Sequence, residues 1–128
     1  AIGVELAIHL NGLGHESTIV EMTEHIAAKA QLTERTDYLT WLEKSGVKTL
    51  VGTACTEITD RGVRVKNADG EQFLEADTVI IAAGTRALEK ERDQFADVAF
   101  DVISVGDCVK ASSIVHATHT GFDAGLTL

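Results

Sequence analysis

Cysteine is scarce in this sequence, which contains only Cys55 and Cys108. Two cysteines cannot build the disulfide framework that holds small secreted domains together, and their spacing excludes a C-x-x-C redox pair. The N-terminal residues also lack the basic segment and apolar stretch of a secretory signal. We therefore expect two free thiols in a reducing compartment, and a cytoplasmic protein.

Long apolar runs and positive charges are also scarce. The longest apolar run covers residues 79–83, far short of the roughly 20 residues that cross a membrane. Lys and Arg total 11 against 20 Asp and Glu, giving a net charge of −9. Nucleic acid and anionic membranes are therefore not expected as partners, because both would be repelled. With 128 residues, 45% of them apolar, the chain can form one real core and should not be disordered.

The first elements read as a helix followed by a short strand. Apolar residues recur at helical spacing over residues 2–13, and Gly12 and Gly14 are placed to end the helix. Residues 17–20 are typical of a short strand buried on both faces. Glu21 stands at the carboxyl end of that strand, where open α/β sheets bind their ligands.

The pattern continues with helix and strand. We expect a weak helix over residues 23–30 with Thr23 as its candidate N-cap, a stronger helix over 34–45 and a buried strand over 47–51. Thr33 is a candidate N-cap for the stronger helix, and Gly46 is placed to terminate it.

Residues 56–74 change to short alternating segments separated by turns, which predicts an antiparallel meander. Val63 and Val65 should point to one face of this meander, and Arg64 and Lys66 to the other. One face is therefore expected to be buried and the other to meet solvent.

The last third contains two apolar segments, 78–82 and 101–105, that read as strands. Residues 86–97 between them are charged and poorly periodic, as in a surface linker, and residues 112–126 read as a helix. The fold class predicted from the whole pattern is α/β, with a central parallel sheet, helices on both faces and an antiparallel β-meander.

The opening helix and strand match the second half of a dinucleotide-binding βαβ unit. In that unit a strand leads into G-x-G-x-x-G, and an acidic residue about 20 positions further on holds a ribose hydroxyl. Gly3 would be the third glycine, with the helix N-terminus facing the pyrophosphate. We expect that the chain begins inside this motif, after the first strand and the first two glycines.

Glu21 would then accept hydrogen bonds from the adenosine ribose. Residues 22–25 contain no Arg that could compensate the charge of a 2′-phosphate, so NADH is expected over NADPH. The alternatives are a glycine needed only for helix packing at position 3 and an ordinary exposed glutamate at position 21.

Three further segments carry a family resemblance: Thr-Ile-Val-Glu at 18–21, Ala-Asp-Thr-Val-Ile-Ile-Ala-Ala-Gly at 76–84 and Val-Gly-Asp-Cys at 105–108. With the helix entry at Gly3 and the meander, their order resembles the pyridine-nucleotide domain of two-dinucleotide-domain flavoprotein reductases. The chain looks most like the C-terminal part of the NADH:flavin oxidoreductases related to 2,4-dienoyl-CoA reductase, enoate reductase and trimethylamine dehydrogenase, enzymes related to Old Yellow Enzyme.

This resemblance implies a three-layer, Rossmann-like fold of the glutathione-reductase type. Residues 1–100 would be an NAD(P)-binding domain lacking its first strand and first two motif glycines, and residues 101–128 the returning strand and helix of an FAD-binding domain. Gly84 would lie near the bound dinucleotide. Gly106 and Asp107 would belong to the flavin motif, with the Asp107 carboxylate on the ribityl hydroxyls of FAD. The alternatives are plain turns, with Asp107 as a helix cap.

The resembled enzymes also carry FMN and a 4Fe-4S cluster in an N-terminal barrel. By resemblance, the chain would bind NADH and FAD and deliver hydride for the reduction of an enoate- or dienoyl-type substrate. It would work only with the rest of the parent flavoenzyme, and it would supply no catalytic acid or base. The alternatives are a non-catalytic module holding ADP or another nucleotide, an interaction domain, or the same domain of another flavoprotein reductase such as an NADH oxidase.

Two structural expectations remain. Cys108, His116 and His119 lie close in sequence, but three residues without established geometry are a weak signal, so no metal site is expected.

A sheet without its first strand leaves backbone groups unpaired between residues 17–20 and 78–82. We expect residues 101–105 to fill that position, from the same chain or from a swapped neighbour in a homo-oligomer.

Overall fold

Helix and strand alternate along the first part of the chain, as the hydrophobic periodicity predicts. The computed structural model describes residues 1–127 and divides into two units between residues 82 and 83. The elements of the first unit are α1 (Ile2–Gly12), β1 (Thr18–Val20), α2 (Leu32–Ser45), β2 (Lys48–Leu50), β3 (Ala54–Thr59), β4 (Gly62–Asn67) and β5 (Gly70–Glu75). Those of the second unit are α3 (Glu89–Asp93), a 3₁₀ turn (Gly106–Cys108) and α4 (Ile114–Thr127).

Strands β1 and β2 form a parallel pair in which Thr18 lies opposite Lys48 and Val20 opposite Leu50. Parallel neighbours need a crossover connection, and α2 supplies it. Helix α1 packs on both α2 and β1. The buried core residues of this part are Val4, Ile26, Tyr38, Leu42 and Val47. The predicted α/β class with a parallel sheet is confirmed.

Strands β3, β4 and β5 form the predicted antiparallel meander, with β4 in the middle. Val63 and Val65 of β4 are buried, whereas Arg64 and Lys66 are exposed. Arg64 pairs across the sheet with Glu57 at 2.8 Å. The alternation of buried and exposed side chains therefore follows the sequence pattern, as the period of two requires.

The predicted helix over residues 23–30 is wrong, because this segment forms bends and turns. One tertiary contact and one local backbone conformation are incompatible with a helix there. The carbonyl of Thr23 accepts a hydrogen bond from the N–H of Gly52 at 2.9 Å, and Ala27 has a left-handed backbone with φ 51°. Helix α2 was predicted well, and Gly46 ends it in the left-handed conformation, but its N-cap is Gln31 and not Thr33.

The strands predicted at residues 78–82 and 101–105 are also wrong, because neither segment joins a β-ladder within residues 1–127. An apolar sequence favours a strand but cannot supply the neighbour whose backbone groups it must pair with. Ile81, in the first of these segments, is 74% exposed. The prediction that residues 101–105 complete the sheet from the same chain fails with them, whereas a swapped pairing between two copies stays a prediction.

The β1 and β2 strands are less buried than their sequences indicate. Thr18 and Lys48 are exposed and Val20 is half-buried, so the expectation of strands buried on both faces is wrong. A strand buried on both faces needs an element packed on each face, and among the described helices only α1 makes extensive contact with β1.

Helices α3 and α4 lie in the second unit, where the sequence predicts a surface segment and a C-terminal helix. Helix α3 is a single five-residue piece with no buried residue, and α4 has none either. None of the helices within residues 1–127 has the length and apolar character needed to cross a membrane.

A buried tyrosine joins α1 to α2. Tyr38 is 4% exposed, and its hydroxyl contacts a carboxylate oxygen of Glu5 on α1 and of Glu34 on α2, the latter at 2.6 Å. Its single proton can be donated to one carboxylate at a time. Both carboxylates stabilise the neutral hydroxyl, Glu34 more than Glu5, and raise the pKa of Tyr38. The ring of Trp41 stands edge-on to that of Tyr38, with centroids 6.0 Å apart.

This contact predicts a pH dependence that can be read from one chromophore, since the chain has one tyrosine. An unfolded tyrosine titrates at about pH 10, so the stability that a raised Tyr38 pKa provides is complete below that pH and is lost as the pH rises through the folded pKa. The ultraviolet absorbance of tyrosinate should therefore appear at higher pH in the folded chain than in urea. Changing Glu5 and Glu34 together to Gln should lower the midpoint, whereas Glu43→Gln on α2 should leave it unchanged. Equal midpoints in the folded and unfolded chain would contradict the contact.

Candidate functional site

The backbone of Glu21 is held between the ends of the two parallel strands. Its N–H donates to the carbonyl of Leu50 at 2.8 Å, and its own carbonyl accepts from the N–H of Thr53 at 3.0 Å. Thr53 is 1% exposed, so this clamp is anchored in buried structure. Glu21 therefore lies at the carboxyl end of β1, where the sequence predicts it.

The side chain of Glu21 is half-buried and hydrogen-bonded locally. Its Oε1 accepts from the backbone N–H of Thr23 and from the Thr23 hydroxyl, both at 2.8 Å. A second carboxylate stands nearby, because Glu24 Oε1 is 3.1 Å from where a Cβ of Gly52 would lie. Within residues 1–127, no Lys or Arg forms an ion pair with either carboxylate. This edge of the sheet is therefore negatively charged.

Gly3 lies in the first turn of α1, at a close contact. A Cβ built on Gly3 would lie 3.0 Å from the Cβ of Ala82, tighter than ordinary van der Waals contact. The glycine therefore lets the start of α1 approach the segment that contains Ala82. Helix packing is thus established for Gly3, and the first N–H groups of the helix, which have no intrahelical acceptor, are the groups an anion would use.

In the second unit, Gly84 has φ +95° and no atom within 4 Å of a Cβ built on it. The backbone itself therefore requires glycine, and the space beside it is open. The residues after Gly84, together with residues 109–111, line a groove of about 690 Å³. The lining begins at Thr85, directly after Gly84, and resumes at Val109, just beyond the Gly106–Cys108 turn, so none of the predicted site residues lines the groove.

Gly106 and Asp107 form the 3₁₀ turn that leads to α4. Gly106 is buried, a Cβ on it would lie 3.3 Å from the Cβ of Ala117, and its N–H donates to the Thr120 hydroxyl at 2.9 Å. Asp107 Oδ1 accepts from the N–H of Ser112 at 3.3 Å. Asp107 is therefore part of the turn but does not cap α4, because the N–H of His116 donates to the hydroxyl of Ser113 at 3.2 Å and Ser112 precedes the helix. The strand that favoured a flavin role is not formed, so that role stays a prediction.

The cysteine and histidine residues near this turn are not gathered into a metal site. No group of three or more His, Cys, Asp or Glu that could hold a metal occurs in the described part of the chain. Cys108 donates to the carbonyl of Val105 at 2.9 Å, and both Cys55 and Cys108 are free and exposed.

Thr23 is the residue that sequence reasoning assigned wrongly, since the helix it was expected to cap is absent. Its function in the structure is to hold Glu21. Local turns closed by a side chain are characteristic of Asn, Asp, Ser and Thr, whereas the closing carboxylate here belongs to Glu21, so the residue types carried no recognised signal of this turn.

Comparison with known proteins identifies one family model and several oxidoreductases that are similar to this chain. The family model described as pyridine nucleotide-disulphide oxidoreductase matches residues 1–121. The chain is 34% identical over 128 residues to a bilirubin reductase of Mediterraneibacter gnavus (strain CC55_001C), covering 99% of this chain and 20% of that protein. It is 32% identical over 123 residues to an NADH oxidase of Thermoanaerobacter brockii, covering 94% of this chain and 19% of that protein.

A solved structure of a 2-naphthoyl-CoA reductase in complex with 2-naphthoyl-CoA superposes with a TM-score of 0.86 and 26% identity, covering 98% of this chain and 19% of that one. The chain thus spans about a fifth of the length of these relatives.

A matched pair of substitutions in α1 tests the packing of Gly3. Gly12→Ala should raise the free energy of unfolding, by less than the ~0.5–1 kcal/mol of a helix interior because Gly12 is the last residue of α1, since Ala favours a helix over Gly and nothing lies within 4 Å of the new methyl. Gly3→Ala has the same intrinsic gain but forces its methyl against Ala82, a kind of overpacking that costs about 1–3 kcal/mol. Denaturant unfolding should therefore rank Gly12→Ala above wild type, and Gly3→Ala at or below it. Equal gains at both positions would contradict the contact.

Proposed function

Because the chain belongs to the pyridine nucleotide-disulphide oxidoreductase family, we propose that it is the NAD-binding module of a flavoprotein oxidoreductase and that it takes NADH in preference to NADPH. The observation that carries this proposal is the Glu21 carboxylate at the carboxyl end of a parallel strand pair, held there by Thr23. That position and that chemistry suit the hydroxyl groups of a ribose.

The preference for NADH follows from the charges at this edge. The 2′-phosphate of NADPH would meet the carboxylate of Glu21, with that of Glu24 nearby, and neither is paired with a Lys or Arg among residues 1–127. Two like charges about 4 Å apart near a protein surface repel each other by about 4 kcal/mol. The hydroxyls of NADH would instead donate hydrogen bonds to the carboxylate.

Other residues would hold the remaining parts of the two cofactors. The N-terminus of α1 at Gly3 would receive the pyrophosphate of NADH, and the open space beside Gly84 would accommodate the dinucleotide. Gly106 and Asp107 would contribute to FAD, with Asp107 on its ribityl hydroxyls. The nicotinamide and the flavin supply the hydride chemistry when bound, so the chain itself binds and orients.

For the longer protein we propose reduction of an enoate- or dienoyl-type substrate in the cytoplasm, with FMN and a 4Fe-4S cluster outside these residues. The names of the relatives support a reductase, since one is a bilirubin reductase and one a 2-naphthoyl-CoA reductase. We also propose that residues 1–100 serve NADH and residues 101–128 serve FAD.

Calorimetric titration of the purified chain with NADH, NADPH and ADP tests the proposal. NADH should bind more tightly than NADPH, and more tightly than ADP because of its nicotinamide half. Glu21→Gln should weaken NADH binding by about tenfold or more, since a hydrogen bond to a charged group is worth about 1.5–3 kcal/mol. The same substitution should also reduce the difference between the affinities for NADH and NADPH.

Glu16→Gln is the matched control, because Glu16 is exposed and lies before β1, beyond the opposite end of the strand from Glu21. Its substitution should leave all three affinities unchanged. Equal affinity for NADH and ADP would favour a module that holds nucleotides without regard to nicotinamide. Equal effects of Glu16→Gln and Glu21→Gln would mean that Glu21 affects binding only through the net charge of the chain and not through direct hydrogen bonds to the ribose.

A further inference from the structure

Thr23 gives both of its hydrogen-bond donors to one oxygen of Glu21. The backbone N–H and the side-chain hydroxyl each lie 2.8 Å from Oε1. None of the described residues donates to Oε2 of the same carboxylate. The two oxygens of Glu21 are therefore in different situations, one committed to the protein and the other available.

The hydroxyl proton of Thr23 has two acceptors within reach. Besides Glu21 Oε1 at 2.8 Å, the carbonyl of His25 lies 3.1 Å from Oγ1. The carboxylate is the nearer acceptor and carries charge, and hydrogen bonds to charged acceptors are shorter and stronger. The proton therefore goes to Glu21.

Thr23 is itself fixed to the neighbouring strand. Its carbonyl accepts from the N–H of Gly52 at 2.9 Å, just past the end of β2. The backbone of Glu21 is bonded to Leu50 and Thr53 on the same segment. Both ends of the Glu21–Thr23 turn are thus tied to the exit of β2, and the donors that face Oε1 cannot follow a rotating glutamate side chain.

We propose that Thr23 is a positioning residue that commits Oε1 and presents Oε2 of Glu21 as the acceptor for the ribose hydroxyls. The inference rests on the proposed function of Glu21. A glutamate side chain free to rotate would lose conformational entropy when it binds a ribose, and Thr23 removes that loss in advance. A valine at position 23 keeps the shape and the backbone donor but not the hydroxyl.

The test compares Thr23→Val with Thr23→Ser by titrating the purified chain with NADH and NADPH. Loss of the hydroxyl should weaken NADH binding by about three- to tenfold and reduce the ratio of NADH to NADPH affinity. Thr23→Ser should restore both. Thr49→Val, which alters an exposed threonine on β2 with no side-chain hydrogen bond to the described residues, should change neither.

A double-mutant cycle separates positioning from a general structural effect. Thr23→Val should add nothing in a Glu21→Ala background if it acts through Glu21, because alanine removes the acceptor of both Thr23 donors. The amide proton resonance of Thr23 gives a reading without nucleotide, and it should move upfield in Glu21→Gln as its charged acceptor is lost.

The outcomes distinguish this inference from the function on which it rests. NADH binding that depends on Glu21 but is unchanged in Thr23→Val would overturn the positioning role alone, as would a full effect of Thr23→Val in the Glu21→Ala background. A wild-type chain that binds neither dinucleotide would overturn the proposed function, and the role of Thr23 in it.

Discussion

The parallel pairing of β1 with β2 is the constraint on which the candidate site depends. The pair is only three residues long on each side, yet its ladder continues through the backbone of Glu21 to Leu50 and Thr53. This continuation converts a short sheet into a fixed frame for one carboxylate. Helices α1 and α2 hold the frame from outside, and Tyr38 joins them.

The parts of the fold that depend on local signals were predictable from the sequence. Gly46 ended α2 as its conformational freedom allows, and Val63 and Val65 followed the period of two in the meander. The location of Glu21 at a strand end also followed from local pattern. The errors arose where a contact with a distant residue determined the local structure. In one case the N–H of Gly52 donates to the Thr23 carbonyl, which would have accepted a hydrogen bond within a helix.

The candidate site likewise has features that local sequence predicts and features that depend on tertiary structure. Residue type and spacing pointed to Glu21 and Gly3, but spacing could not reveal that Thr23 would give two donors to one oxygen. Nor could it tell that residues 101–105, although apolar, would join no ladder in the described chain. Side-chain geometry and strand partners are properties of the folded molecule, not of a short window of sequence.

The apolar segment at residues 78–82 has a consequence for how the protein behaves in concentrated solution. Ile80 and Ile81 are 51% and 74% exposed, and short β-prone stretches without a partner attract one another. The net charge of −9 opposes such contact between copies. Salt shortens the reach of that repulsion to about 8 Å at physiological ionic strength, so the colloidal stability of this chain is set by its counterions as much as by its fold.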